Sequence, residues 1–249
     1  MFIYTLILTL LSLSPLMANE GPTLPKQKWS YTLGEKGSFD RAELQRGFQV
    51  YKEVCSVCHG MNLLCYRNLK ALGFNDDEVK AIAAEYKVKD GPNDDGEMFE
   101  RPARPEDRFA GPYANEKAAR AANNGSLPPD LTLIIKARVG GPDYVYALLT
   151  GYGPAPADVK IMEGMYYNPY YPGGQIGMIP PLTEGQVTFS DGTEATVGQM
   201  AKDVVTFLAW AAEPEMERRH QIGIMVMIFL SILTVMLYLI MRRVWKNVQ

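Results

Sequence analysis

Histidine and cysteine are scarce in this chain: its 249 residues include two histidines and three cysteines. An odd number of cysteines, all within the stretch from Cys55 to Cys65, argues against a disulfide framework. Excess positive charge is also missing. Setting aside Arg242, Arg243 and Lys246 at the far end leaves 22 basic residues against 28 acidic ones. A domain that acidic is poorly suited to nucleic acid. It suits encounter with a basic protein, or it simply keeps the domain soluble. No βαβ pattern surrounds the cysteines, and no general acid, base or nucleophile stands out.

Two long apolar runs mark the ends. Residues 1–17 are apolar, broken by Pro15, and lead into Ala18-Asn19-Glu20. The run is short for a membrane span and fits a secretory signal over residues 1–18. It lacks a basic n-region, and Leu16 is bulky for a cleavage site, so an uncleaved anchor is the alternative. Ile222 to Met241 carries no charge and is flanked by Arg218, Arg219 and His220 before it and Arg242, Arg243 and Lys246 after it. Twenty such residues suffice to cross a hydrocarbon core of roughly 30 Å. The expected organisation is a signal at 1–18, a domain outside the cytoplasm at 19–220, a transmembrane helix at 221–242 and a cytoplasmic tail at 243–249. Basic flanks on both sides orient the helix weakly, so the secretory signal sets the direction.

Cys55-Ser56-Val57-Cys58-His59 is a C-x-x-C-H motif, the signature of covalent c-type haem (heme c) attachment. Two thiols about one turn apart reach the two vinyl groups on one porphyrin edge, and the following histidine supplies an axial ligand. A zinc site needs two further ligands, and only Cys65 and His220 remain, the latter at the membrane edge.

The flanks predict helices. Asp40 can cap one with Glu43 at its third position, running through Leu44, Gly47, Phe48 and Tyr51 to the cysteines. Thr196 can cap a second, with Met200, Val204, Leu208 and Ala211 on one face. Gly47 and Phe48 opposite Phe207 and Trp210 match the crossing helix pair of small c-type cytochromes, although each stripe alone is ordinary core.

With His220 against the membrane span, the sixth iron ligand falls to methionine. Of thirteen methionines, four lie in the span, Met200 reads as core, and Met61 sits too near the motif. Met178, in Pro172-Gly-Gly-Gln-Ile-Gly-Met178-Ile-Pro-Pro181, is the first choice. Glycine permits close backbone approach and proline stiffens the loop. Met165 is the second choice, and either could be a core methionine.

Several stretches resemble the cytochrome c1 family of bc1 complexes: WSYTLGEKGSFD, GFQVYKEVCSVCHGM with YRNL, ARAANNGSLPPDLTLI, ARVGGPDYVYALLTGY, YYNPYYPGGQIGMIPPL and DGTEATVGQMAKDVVTFLAWAAEPE. The resemblance implies one covalent haem on Cys55 and Cys58, with His59 and Met178 as axial ligands. It further implies Asn123 and Arg138 at the haem propionates, Tyr144 nearby and Pro129 packed on the ring. It implies a mostly α fold: a cytochrome-c-like haem domain with long loop insertions plus one C-terminal transmembrane helix. The implied function is electron transfer from a Rieske iron–sulfur protein to a cytochrome c, beside cytochrome b in a dimeric bacterial inner-membrane complex, with the haem domain periplasmic. Such a subunit is no enzyme alone. The alternatives are a membrane-anchored c-type carrier serving another oxidase or reductase, and a haem peroxidase or gas sensor, which needs an open sixth position. Some relatives hold the sixth-ligand region by an extra disulfide. Here only Cys65 is spare, as a buried apolar residue or a reactive thiol.

Between motif and Met178, residues 90–113 are rich in proline, glycine and charge and read as a surface excursion. Asp76, Asp77 and Glu78, with Asp94, Asp95, Glu97, Glu100, Glu106 and Asp107, form a solvated face or a docking patch for a basic electron acceptor. Residues 166–174 read as an aromatic loop beside the haem, and Phe189 to Thr193 as a small hairpin around Asp191-Gly192.

Overall fold

The computed structural model describes residues 22–32 and 37–246; the expected signal at 1–18 and the last three residues of the expected tail lie outside them. Among the described residues there are six α-helices and two minimal sheets. Helix α1 is Arg41–Glu53, α2 Asp76–Ala84, α3 Glu116–Ala122, α4 Gly141–Thr150, α5 Val197–Ala212 and α6 Met216–Trp245. Strands β1 (Lys87–Asp90) and β2 (Phe99–Pro102) pair antiparallel, as do β3 (Tyr166–Tyr167) and β4 (Gln175–Ile176).

Helix α1 starts where the Asp40 carboxylate accepts hydrogen bonds from the amides of Ala42 and Glu43. Helix α5 starts where the Thr196 hydroxyl accepts from the amide of Gln199. The two helices cross at Gly47. A Cβ there would stand 2.1 Å from the carbonyl oxygen of Asp203 and 2.8 Å from Cβ of Phe207. Only glycine permits that approach. Phe48 meets Phe207 at 5.7 Å between ring centroids, and Phe207 stacks on Trp210 at 5.8 Å. Arg46 closes the crossing: its guanidinium donates to both oxygens of the fully buried Asp203 and to Asp191.

Two loop expectations are corrected. The surface excursion carries β2, which pairs with β1 immediately ahead of it to form a hairpin latched by Arg101, paired with Asp90 and Asp107. Conversely, Phe189 to Thr193 forms a turn and no strand pair. Its Asp191 turns inward to Arg46 and accepts from the amide of Thr193 at 3.0 Å, so the side chain caps the turn itself.

Helix α6 is longer than its apolar run. Its 30 residues correspond to roughly 45 Å of helix, and its apolar window has no residue buried against the rest of the chain. It begins at Met216 because the charged first turn is tied to the domain. The Glu217 carboxylate accepts from the backbone amide of Phe39 at 2.8 Å and from Arg41 at 2.6 Å. Glu213 pairs with Lys136 and with Arg219.

Candidate functional site

The C-x-x-C-H segment is an extension of α1. Val54 closes the helix and Cys55–Val57 form one turn of 3₁₀ helix. The carbonyl of Cys55 accepts from the amides of Cys58 (3.1 Å) and His59 (2.9 Å), and the Tyr51 hydroxyl donates to the carbonyl of His59 at 3.3 Å. That turn sets both cysteines and the histidine on one compact loop. All three cysteines are free thiols. Burial, followed by the neighbouring Cys58, pushes the Cys55 thiol up to about 12.

The imidazole of His59 is pinned by a second segment. Its Nδ1 lies 2.8 Å from the carbonyl oxygen of Pro129. A carbonyl only accepts, so Nδ1 carries the proton and Nε2 keeps its lone pair. Burial lowers the His59 pKa, more than the bond to Pro129 raises it, which favours the neutral ring. Three further bonds join the same two segments: Leu131 N to Gly60 O at 2.9 Å, Asn62 N to Asp130 Oδ2 at 2.7 Å, and Leu63 N to Thr132 Oγ1 at 3.4 Å.

The 126–132 strap also reaches the methionine loop. A Cβ at Gly177 would meet Ser126 Oγ at 2.8 Å and Met165 Sδ at 3.7 Å. Ser126 therefore lies against the residue preceding Met178, three residues from the carbonyl that holds His59. Three residues of extended chain reach at most about 11 Å. The structure thus brings Met178 and Met165 into one neighbourhood and joins it to His59 through a short strap. Both methionines are half-buried, whereas Met200 and Met61 are fully buried core.

The remaining predicted residues differ in setting. Asn123 Nδ2 donates to Ala119 O at 2.7 Å and to the Tyr113 hydroxyl at 3.0 Å, closing the end of α3 ahead of the strap. Arg138 is exposed and donates to the carbonyl of Ala137. Tyr144, on the first turn of α4, has its pKa raised by burial, an effect partly offset by the charge of Arg138. Pro129 is exposed, and its carbonyl holds His59. Sequence reasoning missed two residues that hold the methionine loop. Tyr152 donates to the carbonyl of Met178 at 3.1 Å, and the fully buried Asn168 donates to Leu148 O at 2.7 Å. Both lie in stretches that carry the family resemblance, but their side-chain roles are not marked there.

The donor set fits a covalently held haem. Two free thiols share one turn, an imidazole presents Nε2, and a thioether loop is strapped to the same segment. A cavity of about 380 Å³, lined by Leu149, Tyr152, Tyr166, Pro180 and Leu182 among others, adjoins the methionine loop. Its lining includes neither cysteine nor His59, so it is not by itself the haem crevice.

Residues 29–248 match the model of the Cytochrome C1 family. The chain is 49% identical to a cytochrome c1 of Rhodospirillum rubrum, over 93% of this chain and 91% of that protein. It is 53% identical to a mitochondrial protein of Arabidopsis thaliana named cytochrome c1 1, heme protein, over 86% of this chain and 70% of that one. It is also 49% identical to a Bradyrhizobium diazoefficiens protein named cytochrome b/c1, over 95% of this chain but only 38% of that longer protein.

Proposed function

This chain belongs to the cytochrome C1 family, and on that premise we propose that it carries single electrons from a Rieske iron–sulfur protein to a cytochrome c within a quinol–cytochrome c reductase. The observation that carries the reading is the His59 imidazole, held at Nδ1 by Pro129 with Nε2 free, at the end of a two-thiol turn. In this reading Cys55 and Cys58 would hold one haem covalently, and His59 and Met178 would ligate its iron. Bound haem supplies a ferric/ferrous couple, and methionine–histidine ligation raises its potential.

The chain's own residues supply position and insulation. Pro129 fixes the tautomer and aim of His59, and an outer hydrogen bond of this kind raises ligand basicity. Asn123 and Arg138 are assigned to the propionates, Arg138 because an exposed guanidinium can neutralise a carboxylate as it is desolvated. Tyr144 and Pro129 wall the site. No proton needs to move and no bond in the chain breaks, so rigidity is the useful property.

Helix α6 fits a single-pass anchor, with the haem domain on the periplasmic side of a bacterial inner membrane. The relative named cytochrome b/c1 supports association with cytochrome b, and a dimeric complex is the expected assembly. The test is purification of the full chain from its own membranes. A cytochrome b and an iron–sulfur subunit should accompany it, and added quinol should reduce its haem through that subunit. A chain that purifies without them, or whose haem quinol reduces only through another enzyme, overturns the reading.

A further inference from the structure

Resting on the reading of Met178 as the thioether ligand, we propose that Tyr152 is the positioning residue for that ligand, its hydroxyl holding the Met178 carbonyl and thereby the backbone from which the thioether projects. The bond is 3.1 Å long and spans 26 residues of chain. Tyr152 stands two residues beyond the end of α4, so its ring is carried by a helix that packs on the core.

The same helix end secures the other side of the loop. Asn168 donates to Leu148 O, accepts from the amide of Tyr170 at 3.1 Å, and takes its own amide to Gly174 O at 2.9 Å. Between these points β3 and β4 pair Tyr166 with Ile176 and Tyr167 with Gln175. There is no room at Gly151 for a side chain: a Cβ would stand 2.5 Å from the Tyr170 ring and 2.6 Å from Ala147 O. The loop that ends in Met178 is therefore gripped at its start by Asn168, which bonds to Leu148 in the last turn of α4, and at its end by Tyr152, just past that helix.

Nothing covalent does this. Cys65 is a free thiol whose backbone bridges to Arg108 and bonds to Asn68. A thioether is a weak, uncharged ligand, so its hold on iron depends on how little the loop can drift. A hydroxyl bonded to the ligand's own carbonyl limits that drift directly. Burial raises the Tyr152 pKa, so the phenol remains a neutral donor.

The test uses the haem-loaded full chain in detergent, oxidised, with imidazole as the competing ligand. Imidazole must displace the thioether, so its apparent affinity reads how firmly Met178 is held. Tyr152→Phe keeps the ring and removes the donor. Water entering from the adjoining cavity can partly replace it, so Tyr152→Leu, which removes the ring as well, is measured beside it. Loss of one such bond predicts a rise in imidazole affinity of roughly threefold to tenfold. The red absorption band of methionine on ferric iron should weaken in step, and more so in Tyr152→Leu. If Met178→Leu abolishes that band but both Tyr152 variants bind imidazole like the parent, Tyr152 is idle and this inference falls while the ligand reading stands. If Met178→Leu keeps the band, the ligand reading itself falls, and this inference with it.

Discussion

The imidazole Nδ1 of His59 sits 2.8 Å from the carbonyl oxygen of Pro129, 70 residues away in sequence. This contact fixes tautomer and ring orientation, and with the bonds of Gly60, Asn62 and Leu63 it ties the two segments together. It makes the haem ligand part of a strap, 126–132, whose other end touches Gly177. The predictions below follow from that connectivity and from the helix crossing beneath it.

Each thiol should hold the haem independently. Cys55→Ala and Cys58→Ala should each keep haem on the chain through a denaturing gel, with the alkaline pyridine spectrum shifted because one vinyl group remains. The double variant should lose haem from the gel band. Retention of haem by the double variant would exclude thioether attachment at these positions.

Gly47→Ala should destabilise the haem domain. The added methyl meets the Asp203 carbonyl and Phe207, so α1 and α5 must separate. Overpacking of this kind costs about 1–3 kcal/mol. Urea unfolding followed by tryptophan fluorescence measures it, since Trp210 lies in the crossing. A parent-like midpoint would mean that the helices do not approach this closely.

Acid should weaken the turn that closes the crossing. Asp191 is lowered from its ordinary 3.8 to about 2, first by the Thr193 amide and then by Arg46. A carboxylate depressed in the folded state stabilises it above the unfolded pKa and loses that effect as pH falls through the folded value. Asp107 and Glu213 are also lowered, first by Arg101 and by Lys136 respectively. The unfolding temperature should hold from neutral pH to about 5 and fall between about 4 and 2. Asp191→Asn should flatten part of that fall, and an unchanged profile would assign it to other groups.

Glu217→Ala should loosen the joint between domain and anchor with little effect on the haem. The Arg41–Glu217 pair is part exposed, so its removal costs at most about 1 kcal/mol. The Phe39 amide also loses its acceptor. Spin labels on α2 and near the start of α6 should show a broader distance distribution in the variant, with the visible spectrum unchanged. An unaltered distribution would show that Glu213 and Met216 suffice to hold the joint.

The elements that could be read from sequence carry their own local instructions. Asp40 and Thr196 start their helices by side-chain capping, and the C-x-x-C-H spacing needs only one turn to make sense. The apolar run of α6 needs no partner to be recognised, but its start does. Glu217 bonds to Phe39, 178 residues away, so the helix begins six residues before the run. The β1–β2 hairpin was hidden because its strands are short and mostly exposed, with no apolar alternation to betray them. The turn at Asp191 misled for the opposite reason: Asp-Gly suggests a hairpin, whereas Arg46 from α1 draws the carboxylate inward. Tyr152 and Asn168 fall within the family-like stretches, but their roles escaped notice because their partners are backbone carbonyls, which leave no mark in a sequence.

Whether His59 and Met178 serve one haem iron is decided by a redox titration of the parent and Met178→Leu. Reduced-minus-oxidised spectra of the full chain should show a c-type haem of high potential. In the variant the midpoint should fall steeply and carbon monoxide should bind the reduced form readily. A midpoint unchanged by Met178→Leu would contradict the assignment and shift the ligand to Met165, whose sulfur lies beside the same loop.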